Sequence, residues 1–135
     1  EEGAGLLLIT HNLGIVAETC DRVAVMYAGR IVEIGPVDEI FRNPKHPYTE
    51  GLLNSTISLE TTELRSIPGY PPSLLEPPPG CRFAERCPYA MERCMQGEPA
   101  LDEVGSGQHA ACYLYSEATI DPAALRRGRG TKERA

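Results

Sequence analysis

The sequence predicts an α/β fold followed by a small cysteine-rich lobe, on three observations. Residues 1–58 alternate short aliphatic runs with helix-period stretches. Residues 59–80 form a linker holding Pro68, Pro71, Pro72, Pro77, Pro78 and Pro79. Residues 81–115 hold four of the five cysteines. Residues 116–135 then read as a disordered basic tail. The 135 residues suit one ordinary domain or two small ones. The net charge is −6, from 13 Lys+Arg and 19 Asp+Glu, and it is unevenly placed. From Asp121 onward there are five basic and two acidic residues, whereas residues 1–120 carry eight basic and seventeen acidic ones. A short Arg/Gly tail on an acidic body predicts no nucleic-acid partner. The longest apolar run, Val23 to Ala28, is six residues. A bilayer span needs about 20, so no membrane crossing is expected. The acidic start, Glu1-Glu2, lacks the features of a secretory signal.

The elements follow in order. Leu6-Leu7-Leu8-Ile9 is a continuous apolar run that ends at polar Thr10-His11-Asn12, which predicts a buried, parallel strand. Leu13 to Cys20 reads as a short helix with Asn12 as its N-cap. Leu13, Val16 and Ala17 would share its buried face. Val23-Ala24-Val25-Met26-Tyr27 and Arg30-Ile31-Val32-Glu33-Ile34 are strands joined by an Ala28-Gly29 turn, a β-hairpin. Pro36 opens a short helix, Val37 to Phe41, with acids in its first turn. Tyr48 to Ser55 is helical after Pro47. In the cysteine region, Pro88 suits the first turn of a helix running to about Met95 with Cys87 at its N-cap.

A strand that ends in Thr-His puts an imidazole at the carboxyl edge of a parallel sheet, where open α/β sheets bind ligands. Around His11 stand Leu7-Leu8-Ile9-Thr10-His11-Asn12-Leu13-Gly14-Ile15-Val16 and then Cys20-Asp21-Arg22-Val23-Ala24-Val25-Met26-Tyr27-Ala28-Gly29-Arg30-Ile31-Val32-Glu33. Asn43-Pro44-Lys45-His46-Pro47-Tyr48-Thr49, Leu64-Arg65-Ser66-Ile67-Pro68-Gly69 and the cysteines follow in order. This series, over roughly residues 5–115, resembles the C-terminal portion of the ATP-binding subunits of dipeptide and oligopeptide ABC importers.

The resemblance implies the C-terminal fragment of a P-loop ABC ATPase domain, residues 1–58, followed by a Cys-rich metal-binding lobe. It implies that His11 is the switch histidine, which contacts the γ-phosphate of ATP bound with Mg. A positioned donor there would stabilise charge spread over the transferring phosphoryl oxygens. Asn12 stands where the family usually has Asp, so any charge-based role at that position is left open. The sequence has no GxxxxGK[ST] phosphate loop, Gln switch, signature loop or catalytic Glu at a strand end. The chain alone is therefore expected to be inactive. The implied partners are a second, identical or different, ATPase subunit, membrane permeases and an extracytoplasmic peptide-binding protein. The implied location is the cytoplasmic face of the membrane. Two alternatives stay open: the same ATPase serving an importer of nickel or another small solute, and a stand-alone iron–sulfur or zinc regulatory module.

The cysteine spacing is Cys81-x5-Cys87-x6-Cys94-x17-Cys112, with Cys20 apart as a buried small hydrophobe. Disulfides need an oxidising compartment. Structural zinc sites usually show CxxC pairs, which are absent here. Iron–sulfur clusters take four thiolates, and Cys87-Pro88 resembles the Cys-Pro end of ferredoxin-type runs. Spacing alone leaves the metal undecided. The resemblance implies Cys81, Cys87, Cys94 and Cys112 as ligands of a [4Fe–4S] cluster, with zinc as the alternative. His109 is a candidate ligand in a Cys3His zinc version. Phe83 and Tyr89 are expected to shield the group. Glu85, Glu92 and Glu98 show no paired-carboxylate logic. His46-Pro47-Tyr48-Thr49 reads as a turn with Tyr48 docked on the core, and no chemistry is assigned to it.

Overall fold

The computed structural model describes residues 3–55, 67–105 and 107–115. The expected basic tail and part of the linker lie outside them. Helix α1 (Leu13–Thr19) starts at Asn12, whose side-chain oxygen accepts the N–H groups of Gly14 and Ile15 at 3.1 and 3.3 Å. Val16 is its buried residue, while Ala17 is exposed, so the expected inner face is narrower than its spacing suggested.

Strands β1 (Arg22–Tyr27) and β2 (Arg30–Pro36) form the expected antiparallel hairpin. Ala28 and Gly29 both have positive φ, at 48° and 81°. That is the two-residue turn whose twist matches the flanking strands. A bulge interrupts the pairing: Val25 faces Glu33 and Met26 faces Ile31, which leaves Val32 as the inserted residue. Val32 and Glu33 are both buried as a result. Helix α2 (Val37–Arg42) follows Pro36, and α3 (Pro47–Asn54) follows His46.

The cysteine region returns to the same sheet. Strands β3 (Asp102–Gly105) and β4 (Gln108–Ala110) complete the order β1-β2-β4-β3, antiparallel at every step. One sheet thus takes strands from both the first 58 residues and the cysteine region. Val25, Tyr27, Val32, Ile40 and Phe83 form the core. Phe83 brings an aromatic ring from the cysteine region into it, with centroids 5.2 Å from Tyr27 and 5.5 Å from Tyr48. Tyr48 docks on this core as expected.

Two expectations fail. Leu6 to Ile9 form no strand and are exposed, Leu7 by 86% and Ile9 by 90%. A parallel strand is held by neighbouring strands, and none among the described residues pairs with this run. The expected helix from Pro88 is also displaced: α4 spans Glu92–Gln96. Cys87 and Cys81 instead head successive tight turns, with Ala84 N–H donating to the Cys81 carbonyl and Ala90 N–H to that of Cys87. Met91 is extended, with φ −116° and ψ 164°, which delays the helix by one turn.

Candidate functional site

The four cysteines outside α1 converge. Cys81, Cys87, Cys94 and Cys112 line one small cavity together with His46, Phe83, Tyr89 and Tyr113. Three come from the wound segment 81–94, and the fourth follows β4. Cys112 is two residues beyond Ala110 of that strand. Phe83 and Tyr89 stand in the wall of this cavity. All five cysteines are free thiols, and Cys20 lies apart at the C-cap of α1.

Each of the four sulfurs has a backbone N–H directed at it. Tyr89 N–H donates to Cys87 Sγ at 3.4 Å and Met91 N–H to Cys94 Sγ at 3.5 Å. Phe83 and Ala84 N–H groups serve Cys81, and Leu114 N–H serves Cys112. Such bonds favour the anionic sulfur. Burial acts against it. It raises the Cys81 thiol and pushes Cys112 up to about 12, with the neighbouring thiols adding to the rise. A bound cation would have to displace these protons, as thiolate ligation requires. Among the described residues, no three His, Cys, Asp or Glu side chains come close enough together to hold a single metal ion. The thiols share a cavity without closing on one point. In donor type and number the four sulfurs match the four-thiolate set that an iron–sulfur cluster would take.

The histidine of the cavity is His46, which the sequence reading did not select. His46 is 1% exposed, and its Nδ1 accepts the Tyr48 N–H at 3.0 Å, capping α3. Its other ring nitrogen faces the backbone carbonyl of Ala111. Burial lowers its pKa to about 4, so the ring is neutral, one nitrogen accepting and the other donating. His109 occupies the other face of β4 from buried Gln108 and Ala110 and does not line the cavity.

Sequence reasoning also missed Glu33, which is fully buried. Its carboxylate accepts from Lys45 N–H at 3.0 and 3.1 Å, His46 N–H at 2.7 Å and Gln108 Nε2 at 3.1 Å. A charged residue in the apolar stretch Ile31–Ile34 was the available signal. Arg86 ties the two regions elsewhere, donating to the carbonyls of Pro68 and Ile67 at 3.0 and 3.1 Å and to the Tyr27 hydroxyl at 3.2 Å. The Arg82 guanidinium donates to the Ala28 carbonyl at the hairpin turn.

His11 is exposed in the loop before α1, and the structure does not bring it to the thiol cavity. Among the described residues no helix is long and apolar enough to cross a membrane.

The mixed α/β arrangement, an antiparallel sheet with a strand-borne cysteine extension, is that of the C-terminal region of an ABC ATPase. Residues 32–94 match the family described as "Oligopeptide/dipeptide transporter, C-terminal region", and most of the chain is similar to proteins named as peptide import ATP-binding proteins. It is 50% identical over 125 residues to a Brucella ovis protein provisionally named as a peptide import ATP-binding protein, covering 87% of this chain and 37% of that one. It is 46% identical over 114 residues to the dipeptide transport ATP-binding protein DppD of Caldanaerobacter subterraneus, covering 83% of this chain and 35% of the relative. It is 51% identical over 114 residues to the oligopeptide transport ATP-binding protein AppD of Bacillus subtilis, again covering 83% and 35%. The chain thus spans little more than a third of the length of the curated relatives it matches.

Proposed function

We propose that this chain is the C-terminal part of an ATP-hydrolysing subunit of an ABC importer that drives uptake of dipeptides or oligopeptides. The observation that carries this reading is about half identity, over more than four-fifths of the chain, to ATP-binding proteins named for peptide transport. Residues 1–58 supply the end of the ATPase domain and residues 81–115 the metal-binding lobe, with 59–80 connecting them and 116–135 as a tail. The subunit pairs with a second ATPase, docks on membrane permeases from the cytoplasmic side and receives peptide through an extracytoplasmic binding protein.

In this reading His11 contacts the γ-phosphate of Mg-bound ATP. Its exposure beside the capped start of α1 leaves the imidazole available to a nucleotide held by the rest of the ATPase. It orients and donates, and a donor aimed at developing negative charge contributes about 3–4 kcal/mol to such a step. Cys81, Cys87, Cys94 and Cys112 hold a [4Fe–4S] cluster. The shared cavity and the N–H groups directed at each sulfur support this ligand set. A cluster held by these four thiolates would tie Cys112, two residues beyond β4, to the segment 81–94.

Two measurements test the reading. In vesicles carrying the whole transporter, His11→Ala is expected to cut ATP turnover and ATP-driven uptake of labelled dipeptide by roughly a hundredfold or more. Unchanged turnover removes His11 from the mechanism. Anaerobically purified protein is expected to be brown, with iron and sulfide each near four per chain. A colourless protein holding one zinc replaces the cluster with a zinc site.

A further inference from the structure

The four thiols of the cavity have unequal means of support. Cys81, Cys87 and Cys94 lie on one short segment that winds on itself. Ala84 N–H donates to the Cys81 carbonyl, Cys87 N–H to the Ala84 carbonyl, and Cys81 N–H to the Cys94 carbonyl at 2.7 Å. Cys112 lies outside that segment: it heads a turn of its own, with Tyr115 N–H donating to its carbonyl at 3.4 Å, and it follows β4, which pairs with β2.

The peptide unit that precedes Cys112 is held on both sides by residues of the first 58. The Ala111 N–H donates to the Val32 carbonyl at 2.8 Å. The Ala111 carbonyl faces the donor nitrogen of His46. His46 is itself placed twice over. Its Nδ1 takes the Tyr48 N–H, and its backbone N–H donates to Glu33 at 2.7 Å. The same carboxylate holds Gln108, at the start of β4, through Nε2 at 3.1 Å. One buried acid therefore ties the loop carrying His46 to the strand that leads to Cys112.

We propose that His46 is the positioning residue of Cys112, holding the Ala111 carbonyl so that the fourth thiol joins the other three, with Glu33 fixing the loop from which it acts. The inference rests on the reading of the four cysteines as ligands. It gives the His-Pro-Tyr segment a role, because the fourth sulfur of the lobe is set from the ATPase end of the chain. The metal group and α3 thereby share one buried ring.

His46→Asn separates this role from helix capping, because Asn is a strong N-cap residue and its side chain is too short to reach Ala111. The first readout uses the apo chain and iodoacetamide, with each cysteine followed by mass spectrometry. Loss of one hydrogen bond is expected to speed alkylation of Cys112 about fivefold while Cys81 and Cys87 react at the wild-type rate. The second uses chain reconstituted anaerobically with ferrous iron and sulfide. Transfer of iron to a chelator is expected to be roughly tenfold faster in His46→Asn, with a changed visible spectrum. His46→Gln, whose amide reaches further, is expected to restore both. Equal acceleration at all four cysteines makes His46 a general packing residue and overturns the proposal, as does no acceleration at Cys112. If His46→Asn does not fold by circular dichroism, Glu33→Gln carries the same comparison among the cysteines and is judged by the same outcomes. A wild-type chain that retains neither iron nor zinc sinks the ligand reading, while the alkylation pattern still decides whether His46 holds Cys112.

Discussion

Leu6-Leu7-Leu8-Ile9 and Val23-Ala24-Val25-Met26-Tyr27 are apolar runs of similar length, and they end in different environments. Val25 and Tyr27 are buried in the core, while all four residues of the first run are exposed. The second run has its partner strand two residues away across the Ala28-Gly29 turn. The first has no paired strand among the described residues. Hydrophobicity states that a segment gains from burial, and topology decides whether a surface is present to bury it. The lobe extends the point, because it is built from turns and short strands and gains its order by docking on the hairpin through Glu33, Phe83 and Arg86.

The largest test of this contrast is Glu33→Ala. It strands the Lys45 and His46 backbone N–H groups and removes one of the two acceptors of the Gln108 amide, which keeps the Asn43 carbonyl, and the expected loss is about 3–5 kcal/mol by urea unfolding. A loss below about 1 kcal/mol would mean that the lobe docks without the carboxylate. Acid provides the next test. The folded chain keeps His46 neutral down to about pH 4, whereas the unfolded imidazole protonates near 6.5. The folded pKa is depressed, so this contribution is complete above pH 6.5 and is lost as pH falls toward 4. The expected loss is roughly 3 kcal/mol between pH 7 and pH 4. His46→Gln removes that component, and an identical acid profile in the variant would contradict it. Arg86→Ala, with three bonds from the lobe to residues 67, 68 and 27, is expected to cost about 1–3 kcal/mol in thermal unfolding. The smallest effect belongs to the other side of the comparison. Leu7→Ser in the 135-residue chain is expected to change stability by less than about 0.5 kcal/mol. A larger cost would show that the first run is buried in solution.

Much of the fold was legible. Asn12 caps α1, the Ala28-Gly29 turn closes the hairpin, and Pro36 and Pro47 mark the starts of α2 and α3. These are local signals, in which a residue's own backbone preference sets the feature. Glu33 was not legible because strict alternation places it opposite Val32. The bulge that puts both inside is visible only in the pairing register. His46 was read as part of a turn because its partners, Ala111 and the thiol cavity, lie far along the chain. The helix expected from Pro88 begins only at Glu92, because Met91 is extended and interrupts the run.

By itself the sequence determined the hairpin, the helix starts, the set of four cysteines and the family resemblance, since each rests on residue identity and short spacing. Only the tertiary structure decided that the cysteine region shares a sheet with the first 58 residues and that the cavity histidine is His46 rather than His109. It alone decided that a buried carboxylate links the two. The reason is that burial and hydrogen-bond satisfaction at these positions are set by partners 13 to 75 residues away in the chain, and no local pattern encodes such pairings.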